Sequence, residues 1–377
     1  MIKAIKLHNF KCYKDEAINL RHLTVFCGNN SVGKSTAIQA ITLLFQSRFG
    51  SEVPFNGDLT SLGYYDDVHN CYVTDDETIS VSLNAFGNDI TWCCKDRVND
   101  GTDFLAWDRE SDDTSVLTKL LDSFQYLQAE RLGPRDNYNN EQSKWHKHWL
   151  GSQGQNTAEV LSAVKDNQRF GKYEDVDGNY KFVINKSDPR IHEKAKSAQI
   201  FDNVSSWMQE LSPGFSFDSK NERIANVSYN TFRNIDGRDF RQTNMGFGLS
   251  YSLSVVTALI NAPIGSTIIV ENPEAHLHPR GQSYLGRLIA LTAEAGVQVI
   301  VETHSDHLIN GMRLMPRLGK VDCKKIKIYQ VIADIENKCS KAFPITVNEQ
   351  GELSEWPDQF FDQQLIDMDI LMSGNEQ

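Results

Sequence analysis

The pattern of apolar and polar residues predicts alternating strands and helices from the start of the chain. Residues 2–7 alternate apolar and basic side chains, which predicts an early strand. Residues 23–27 are apolar and stop at Gly28, which predicts a short strand followed by a loop. Apolar positions then recur at helical spacing over residues 35–45. Strand, loop and helix in this order are typical of an α/β protein.

The middle of the chain predicts several kinds of structure. Residues 46–66 are rich in Gly, Asp and Ser and predict a loop. β-prone segments within residues 71–108 predict an antiparallel meander, and residues 124–127 predict another core strand. Residues 136–240 are polar and predict an inserted lobe with a smaller core. Helical segments are expected in this lobe at residues 158–164 and 200–211.

A charge-free stretch over residues 245–270 is long enough to span a bilayer. Polar and turn-forming residues between 261 and 265 interrupt it. It therefore predicts a helix at 249–259, a turn and a buried strand at 266–270, and no membrane segment. A further helix and buried strand are predicted at residues 279–294 and 297–301.

The phosphate-loop pattern GxxxxGK[ST] fits residues 28–35. Its glycines let backbone N–H groups face a phosphate, and the following helix start adds partial positive charge. Lys34 is expected to reach the β- and γ-phosphates and Ser35 to offer its hydroxyl to Mg²⁺. A chance match in a Gly/Ser turn is disfavoured, because a strand precedes the loop and a helix follows it.

Polar residues follow both buried strands. Glu271 ends the first strand, where P-loop proteins place a carboxylate that holds magnesium directly or through water. Taken alone, such an acid is more typical of a solvated strand end. Residues 302–306 bring His304 to the same sheet edge, where it is expected to hydrogen-bond a γ-phosphate or an attacking water. The alternative there is a capping turn, with Ser305 or Asp306 at the helix start.

Four histidines near these strand ends allow a rival interpretation as a transition-metal site: His276, His278, His304 and His307. Their spacing matches no standard zinc pattern. The phosphate loop also implies magnesium, so a zinc site is disfavoured.

Two glycines and a serine precede or begin the predicted helix at 249–259, within residues 244–250. Such a helix start can present N–H donors to an anion. Because Gly is also common before ordinary helices, the residues alone favour neither interpretation.

Together these segments resemble the ATPases of the ABC superfamily, and within it the SMC/RecF/OLD-like branch of prokaryotic DNA repair and antiviral defence. The resemblance rests on residues 5–13 with the phosphate loop, on 246–250 at the signature position, on 271–279 as Walker B and D-loop, and on 302–306 as the switch-histidine loop. Gln128 falls where the Q-loop glutamine belongs.

The resemblance implies an α/β fold: a P-loop NTPase head of the ABC type, with a mixed central sheet, an antiparallel subdomain and an inserted helical lobe. Residues 351–362 resemble an uncharacterised C-terminal domain attached to one bacterial group of these ATPases. The expected parts are 1–128 (first part of the ATPase core, with Walker A), 129–262 (helical lobe ending in the signature segment) and 263–377 (second part of the core, with Walker B, D-loop, switch histidine and tail).

The resemblance further implies a head-to-tail dimer that sandwiches two ATP molecules. Each ATP would lie between the phosphate loop of one subunit and the signature segment of the other. The residues expected to contact nucleotide are Lys11, Gly28, Asn29, Asn30, Ser31, Val32, Gly33, Lys34, Ser35, Thr36, Gln128, Gly246, Gly248 and Ser250. Those expected at Mg²⁺ are Ser35, Glu271 and Gln128, and those expected in catalysis are Glu271, Asn272, Glu274 and His304.

One position departs from the family pattern. The family has an acid directly after the magnesium acid, as general base for water, but Asn272 stands there. A neutral amide cannot accept the proton as a carboxylate does. Either Glu274 takes this role, which is the hypothesis we adopt, or hydrolysis is slow and ATP acts as a dimerising ligand.

Composition limits the remaining possibilities. The formal net charge of −12 argues against a protein that coats nucleic acid and confines any DNA contact to one basic surface. Seven cysteines without a CxxC pair predict a reduced, cytoplasmic protein. The N-terminus has no apolar signal core.

Weaker signals each leave two interpretations. Arg131 and Arg135 would contact nucleotide or the partner subunit, or would lie in a solvated turn. The basic and aromatic residues 144–149 suit single-stranded DNA, or an ordinary surface helix. Residues 324–329 are compatible with DNA binding, and equally with a half-exposed strand.

The tail contains Asp367 and Asp369, a pair that would suit a nuclease metal site. OLD-like proteins often carry a Toprim nuclease domain, but too few residues follow His304 for one. We therefore interpret residues 360–372 as an amphipathic terminal helix and assign any nuclease activity to a partner.

Two functions follow from these features. The first is Mg²⁺-dependent ATP hydrolysis in a sandwich dimer that senses or handles DNA, or controls a separate nuclease or toxin in defence against phage. The second is a scaffold in which ATP holds an oligomer that sequesters such an effector, an alternative that Asn272 keeps open.

Overall fold

The computed structural model describes residues 1–95, 103–140, 145–146, 148–165, 187–233, 237–355 and 363–374. Its strands are β1 (Ile2–Phe10), β2 (Tyr13–Asn19), β3 (Leu23–Cys27), β4 (Glu52–Pro54), β5 (Ile79–Ala85), β6 (Asn88–Cys94), β7 (Phe104–Trp107), β8 (Phe124–Leu127), β9 (Tyr138–Asn139), β10 (Ser216–Glu222), β11 (Val227–Arg233), β12 (Asp239–Arg241), β13 (Thr267–Glu271), β14 (Gln298–Glu302), β15 (Ile326–Asp334) and β16 (Cys339–Ile345). Its α-helices are α1 (Lys34–Gln46), α2 (Tyr65–Val68), α3 (Thr118–Leu121), α4 (Thr157–Lys165), α5 (Ile200–Leu211), α6 (Phe247–Asn261), α7 (Pro279–Glu294), α8 (Asp306–Arg317) and α9 (Gln363–Ser373).

A mixed central sheet positions the candidate site. Its strand order is β16-β15-β3-β14-β13-β8, and every neighbouring pair is parallel except β15 with β16. Strands β3, β13 and β14 are buried along nearly their whole length, because both faces of the sheet are covered there. Alternate residues of β14 show this: Val299 and Val301 face the core with α7 and α8, and Ile300 faces the core with α1. The predicted strands and the helix at 279–294 are confirmed.

The order of these strands matters for the site. Strand β14 lies between β3, which leads into the phosphate loop, and β13, which ends at Glu271. Glu302 at the end of β14 is in register with Phe26 on one side and Glu271 on the other. The carboxyl ends of all three strands therefore meet at one sheet edge, as the sequence predicted.

A second sheet, β2-β1-β5-β6-β7-β4, covers helix α1 and is antiparallel throughout. The predicted meander is confirmed, and it is joined to the N-terminal hairpin through β5. Strand β5 alternates buried and half-buried residues, as expected for a sheet with one face in the core. The prediction of a loop over residues 46–66 is wrong at β4, because Val53 is buried and pairs with Leu105.

The inserted lobe contains the predicted helices, as α4 and α5, and also an antiparallel sheet that the sequence did not predict. Strands β10, β11 and β12 form this sheet, and β9 pairs with β11. Strand β10 reads Ser-Phe-Asp-Ser-Lys-Asn-Glu, with little apolar content to mark it as a strand. Backbone pairing with β11 along its whole length stabilises it instead. The description of the lobe as helical is therefore incomplete.

The charge-free stretch divides as predicted into helix α6, a turn and strand β13. In the part of the chain that the structure describes, no helix is both long and apolar enough to cross a membrane. The predicted terminal helix appears as α9; its first three expected residues, 360–362, lie outside the described residues. The apolar side chains Ile366, Met368, Leu371 and Met372 of α9 are exposed.

Candidate functional site

Two glycines give the phosphate loop its tight backbone. Gly28 has φ +132°, and a Cβ there would lie 2.3 Å from the carbonyl oxygen of Val331. Gly33 has φ +103°, and a Cβ there would lie 2.4 Å from Sγ of Cys12. L-residues rarely adopt such φ values, so both positions require glycine.

Lys34, the first residue of α1, lies inside the loop. It is 3% exposed, and its Nζ donates to the carbonyl oxygen of Asn29 at 2.5 Å. Burial lowers its pKa, although the nearby carboxyl of Glu302 opposes this shift. The tip residues Asn29, Asn30 and Ser31 are exposed, while Val32 and Thr36 are buried. The loop thus has a fixed base and an open tip, as phosphate binding needs.

Ser35 contacts the carboxyl of Glu302, for which the sequence predicts no role. Its Oγ donates to Oε1 of Glu302 at 2.9 Å. Glu302 is 4% exposed, and its Oε2 has no hydrogen-bond partner among the described residues. Burial, and then the negative charge of Glu271, raises the pKa of Glu302 to about 7. The hydrogen bond from Ser35 and the charge of Lys34 act in the opposite direction. The sequence signal that could have identified Glu302 is an acid directly after an apolar run, the same signal that identified Glu271.

Glu271 is held from the other side. Its Oε1 accepts from the hydroxyl of Tyr126 at 2.8 Å, and its Oε2 accepts from the N–H of Ala129 at 3.2 Å. Both partners belong to β8 or the segment directly after it. Burial raises the pKa of Glu271, although these two hydrogen bonds and Arg131 oppose the shift.

Arg131 links this segment to the residues after β13. Its guanidinium donates to the carbonyl oxygens of Glu271 and Asn272, both at 2.7 Å, and to that of Gln128 at 2.8 Å. It also lies over the ring of Tyr251 at 5.2 Å. Arg131 is 2% exposed, and burial lowers its pKa to about 10.

The interpretation of Arg131 as part of a solvated turn is wrong, because the residue is buried and its guanidinium donates to internal carbonyls. Its contact with nucleotide or a partner subunit stays a prediction. Arg135 is exposed, as a solvated turn requires.

Glu274 and His304 lie together beyond the strand ends. Oε1 of Glu274 accepts from the backbone N–H of His304 at 2.8 Å, while Oε2 is buried without a partner among the described residues. Burial raises the pKa of Glu274. The side chain of His304 is exposed, and loss of hydration and the Lys34 ammonium lower its pKa. A neutral imidazole therefore lies near the phosphate-loop lysine, and the buried carboxyl of Glu274 is bonded to the backbone of the same histidine. The catalytic roles of both stay predictions.

Asn272 has φ +42° and donates its backbone N–H to the carbonyl oxygen of Glu302 at 2.9 Å. Its Oδ1 is buried with no partner among the described residues. The capping interpretation of the next loop is confirmed for Ser305, whose Oγ accepts from the N–H of Leu308 at the start of α8.

The four histidines do not gather into a zinc site. The ring of His276 packs against Phe247 and Tyr251, and Nδ1 of His278 accepts from the N–H of Arg280 at the start of α7. Across the described ranges, no group of three or more His, Cys, Asp and Glu side chains could hold a metal ion. This finding includes Asp367 and Asp369 in α9.

The signature segment begins α6 and packs against the D-loop. Gly246 is exposed and caps the helix, and a Cβ on Gly248 would lie 2.5 Å from the carbonyl oxygen of His276. Ser250 is buried, and its Oγ accepts from Nε2 of Gln242 at 3.2 Å. Only the first part of the segment is therefore open to another molecule.

Two further predicted nucleotide contacts have internal partners. Nε2 of Gln128 donates to the carbonyl oxygen of Leu59 at 3.0 Å. Nζ of Lys11 donates to Oε1 of Gln39 at 3.0 Å, and burial lowers the pKa of Lys11. Their contacts with nucleotide stay predictions.

Neither basic and aromatic segment offers aromatic faces for bases. Trp149 is buried, and its ring stacks on that of Trp145 at 5.0 Å. The described part of residues 144–149 is not helical, so the alternative of a surface helix is wrong; Lys144 and Lys147 lie outside the described residues. In the second segment the strand interpretation is confirmed, because β15 lies in the central sheet with Tyr329 buried.

Comparisons with known proteins agree with this geometry. Residues 1–96 match the family model described as "AAA ATPase domain", residues 100–310 that described as "AAA domain, putative AbiEii toxin, Type IV TA system", and residues 328–371 that described as "Protein of unknown function (DUF3696)". Comparison with curated proteins gave no match.

Two solved SMC heads share the fold. One is an SMC head bound to the C-winged helix domain of ScpA, with 15% identity and a TM-score of 0.55 over 92% of this chain and 98% of that chain. The other is an SMC head with an extended coiled coil bound to the C-terminal domain of ScpA, from Pyrococcus furiosus, with 15% identity and a TM-score of 0.54 over 100% of both chains. The second family model spans more than half of the sequence, so the chain belongs to the AAA ATPase family that this model describes, with the fold of an SMC-like ABC ATPase head and a DUF3696 region near its C-terminus.

Proposed function

We propose that this protein hydrolyses ATP with Mg²⁺ between two head-to-tail subunits and that the resulting opening and closing controls a separate effector. Membership of an AAA ATPase family already supports ATP binding and hydrolysis. The observation that carries the proposal is the shared sheet edge, where Lys34 and Ser35 lie beside the carboxyl of Glu302 at the end of β14.

The chain's own residues suit the steps of phosphoryl transfer to water. Backbone N–H groups of the phosphate loop and Lys34 would hold the phosphates. Neutral His304 would hydrogen-bond the γ-phosphate, and Glu274 would accept a proton from the attacking water through its free Oε2. A buried carboxyl with a raised pKa is a better proton acceptor than a solvated one.

Magnesium fits the donors present. The Ser35 hydroxyl and the unpartnered Oε2 of Glu302 are hard oxygen ligands. Mg²⁺ in nucleotide sites is bound by one or two carboxylates with phosphates and waters, so it does not need a cluster of three protein side chains. When bound, the ion would neutralise charge on the phosphate oxygens.

The open start of α6 supports the proposed dimer. Exposed Gly246 and the first N–H groups of this helix could meet a nucleotide on a second subunit. Buried Ser250 would contribute only by fixing the helix start through Gln242. ATP binding would then favour the closed dimer and hydrolysis would release it.

The effector is proposed to be a nuclease or toxin in defence against phage, with DNA as a candidate trigger. Support comes from one matched family's description, which names a toxin–antitoxin system, and from the solved SMC heads, which are bound to domains of a partner protein, ScpA. The described aromatic residues of segment 144–149 do not favour direct DNA binding, since they pack internally.

The test is phosphate release and mass by light scattering, with ATP and with or without DNA. We expect turnover in the wild type and ATP-dependent dimers, and at least a hundredfold slower release in Lys34→Ala (about 3 kcal/mol of transition-state stabilisation). Exposed Lys324 provides the control, and Lys324→Ala should behave as wild type. Equal turnover in wild type and Lys34→Ala would contradict the proposal.

A second candidate is the ATP-bound scaffold, because Asn272 stands where a carboxylate base is expected. Glu274→Gln and Asn272→Asp separate the two. If Glu274 is the base, Glu274→Gln should lose about a hundredfold or more in turnover while still forming dimers with ATP. The scaffold would be favoured if the wild type forms ATP-dependent dimers without turnover and Asn272→Asp gains turnover.

A further inference from the structure

Two glutamates end neighbouring strands of the central sheet, and their side chains have different partners. Glu271 and Glu302 are in direct register on β13 and β14. Of these two strands, β14 is adjacent to β3, whereas β13 is separated from this phosphate-loop strand by β14 and lies about 10 Å from it, centre to centre.

The Glu302 carboxyl faces the phosphate loop. It accepts from the Ser35 hydroxyl at 2.9 Å and interacts electrostatically with Lys34. Its second oxygen is buried and has no partner within the described ranges. A buried carboxylate oxygen without a hydrogen bond is costly and is retained where it meets a ligand or ion.

The Glu271 carboxyl is held by β8 and the residues directly after it. Both of its oxygens already accept hydrogen bonds, from Tyr126 and Ala129. Its backbone carbonyl is held by Arg131, which also holds the carbonyl of Gln128. These contacts tie the end of β13 to the residues that follow β8, including Gln128.

We propose that Glu302 is the carboxylate of the magnesium site and that Glu271 is a positioning residue, which fixes the segment carrying Gln128 relative to β13. This inference rests on the proposed ATP and Mg²⁺ site and changes which acid serves it. The Ser35 hydroxyl and the Glu302 carboxyl are in hydrogen-bond contact, so together they supply two hard oxygen ligands at one place. An octahedral Mg²⁺ ion would complete its coordination there with waters and phosphate oxygens.

The assignment explains why a second acid lies beside the phosphate loop. Burying a carboxyl next to Glu271 and Glu274 is unfavourable, because like charges repel in a poorly hydrated site. A bound cation would remove that penalty, whereas without one the carboxyl is compensated only by Ser35 and Lys34. Glu271 needs no such ion, since its oxygens are satisfied by the chain.

The experiment measures binding of ATPγS by calorimetry in MgCl₂ and in EDTA, for wild type, Glu302→Gln and Glu271→Gln. Gln keeps the shape of each side chain and an acceptor oxygen while removing the charge. We expect the affinity ratio between the two buffers to fall by about 10- to 100-fold in Glu302→Gln. We expect it to stay within about threefold of wild type in Glu271→Gln, because a positioning residue acts on geometry and not on the ion.

Affinity in EDTA serves as the control for a folded site, because it depends on the loop and Lys34 and not on the ion. Glu302→Gln should bind ATPγS in EDTA at least as tightly as wild type, because it removes a negative charge beside the phosphates; a loss there equal to the loss in MgCl₂ would mean a structural role and would overturn the inference. An unchanged ratio in Glu302→Gln with a collapsed ratio in Glu271→Gln would also overturn it, while leaving the proposed function intact. A wild type that binds ATPγS equally in both buffers would overturn the Mg²⁺-dependent function and the inference together.

Discussion

The ends of β13 and β14 look alike in sequence, since each is an apolar run followed by glutamate, but their surroundings differ. The end of β13 is closed: Tyr126, Ala129 and Arg131 satisfy the side chain and backbone of Glu271. The end of β14 is open toward the phosphate loop, with Ser35 as the partner of Glu302 and one oxygen unpartnered in the described structure. The difference comes from strand order, because β14 lies next to the phosphate-loop strand β3, whereas β13 lies next to β8.

The largest effect should come from opening the closed end. Arg131→Met removes three hydrogen bonds to carbonyl oxygens and leaves those carbonyls buried, so we expect a loss of about 3–5 kcal/mol in the free energy of unfolding by urea. Arg135→Met, at an exposed position, should stay within about 0.5 kcal/mol of wild type. Equal stability of the two variants would mean that Arg131 does not fix this end.

An intermediate effect should come from neutralising the open end in metal-free buffer. The folded pKa of Glu302 is raised to about 7 from an ordinary 4.5. Its neutral form therefore stabilises the fold below pH 4.5, and this contribution is lost as pH rises through 7. Glu302→Gln stays neutral, so it should gain about 2 kcal/mol over wild type between pH 5 and pH 8, by urea unfolding in EDTA.

The pH dependence of the stability difference between Glu302→Gln and wild type is what tests the buried carboxyl. A stability difference between Glu302→Gln and wild type that is constant from pH 5 to pH 8 would contradict a buried, uncompensated carboxyl. Addition of ATPγS with MgCl₂ should remove the advantage of the variant, because the ion and nucleotide then stabilise only the wild-type carboxylate.

The smallest effect should come from Tyr126→Phe, which removes one donor to Glu271 while Ala129 still donates to its other oxygen. We expect a loss of about 1 kcal/mol in urea unfolding. Tyr72→Phe changes the same atom on an exposed ring and should have no measurable effect. A Tyr126→Phe variant as stable as the control would show that the hydroxyl is dispensable for the closed end.

The sequence predicted what depends on strong local patterns. Apolar strands, the helix at 279–294 and the phosphate loop each have a composition that fixes them locally, and the family resemblance supplied their order. The sheet of β10, β11 and β12 was missed because its strands are polar and are stabilised by pairing with each other. Strand β4 was missed because only Val53 in it is buried.

The roles of individual side chains were harder to predict than the fold. Arg131 follows β8 in an ordinary polar segment, and nothing local shows that its fork reaches carbonyls about 140 residues further along the chain. Glu302 carries the same local signal as Glu271, but its contact with Ser35 depends on the strand order. Trp145 and Trp149 resembled a nucleic-acid surface because their mutual stacking is not visible in sequence.

The most direct measurement of the central claim is a pair of double-mutant cycles on the Mg²⁺-dependent affinity for ATPγS. One cycle combines Ser35→Ala with Glu302→Gln, and the other combines Ser35→Ala with Glu271→Gln. Residues that share one ion should couple by at least about 1 kcal/mol, whereas independent residues add within about 0.5 kcal/mol. The account predicts coupling in the Glu302 cycle and additivity in the Glu271 cycle; additivity with Glu302 and coupling with Glu271 would contradict it.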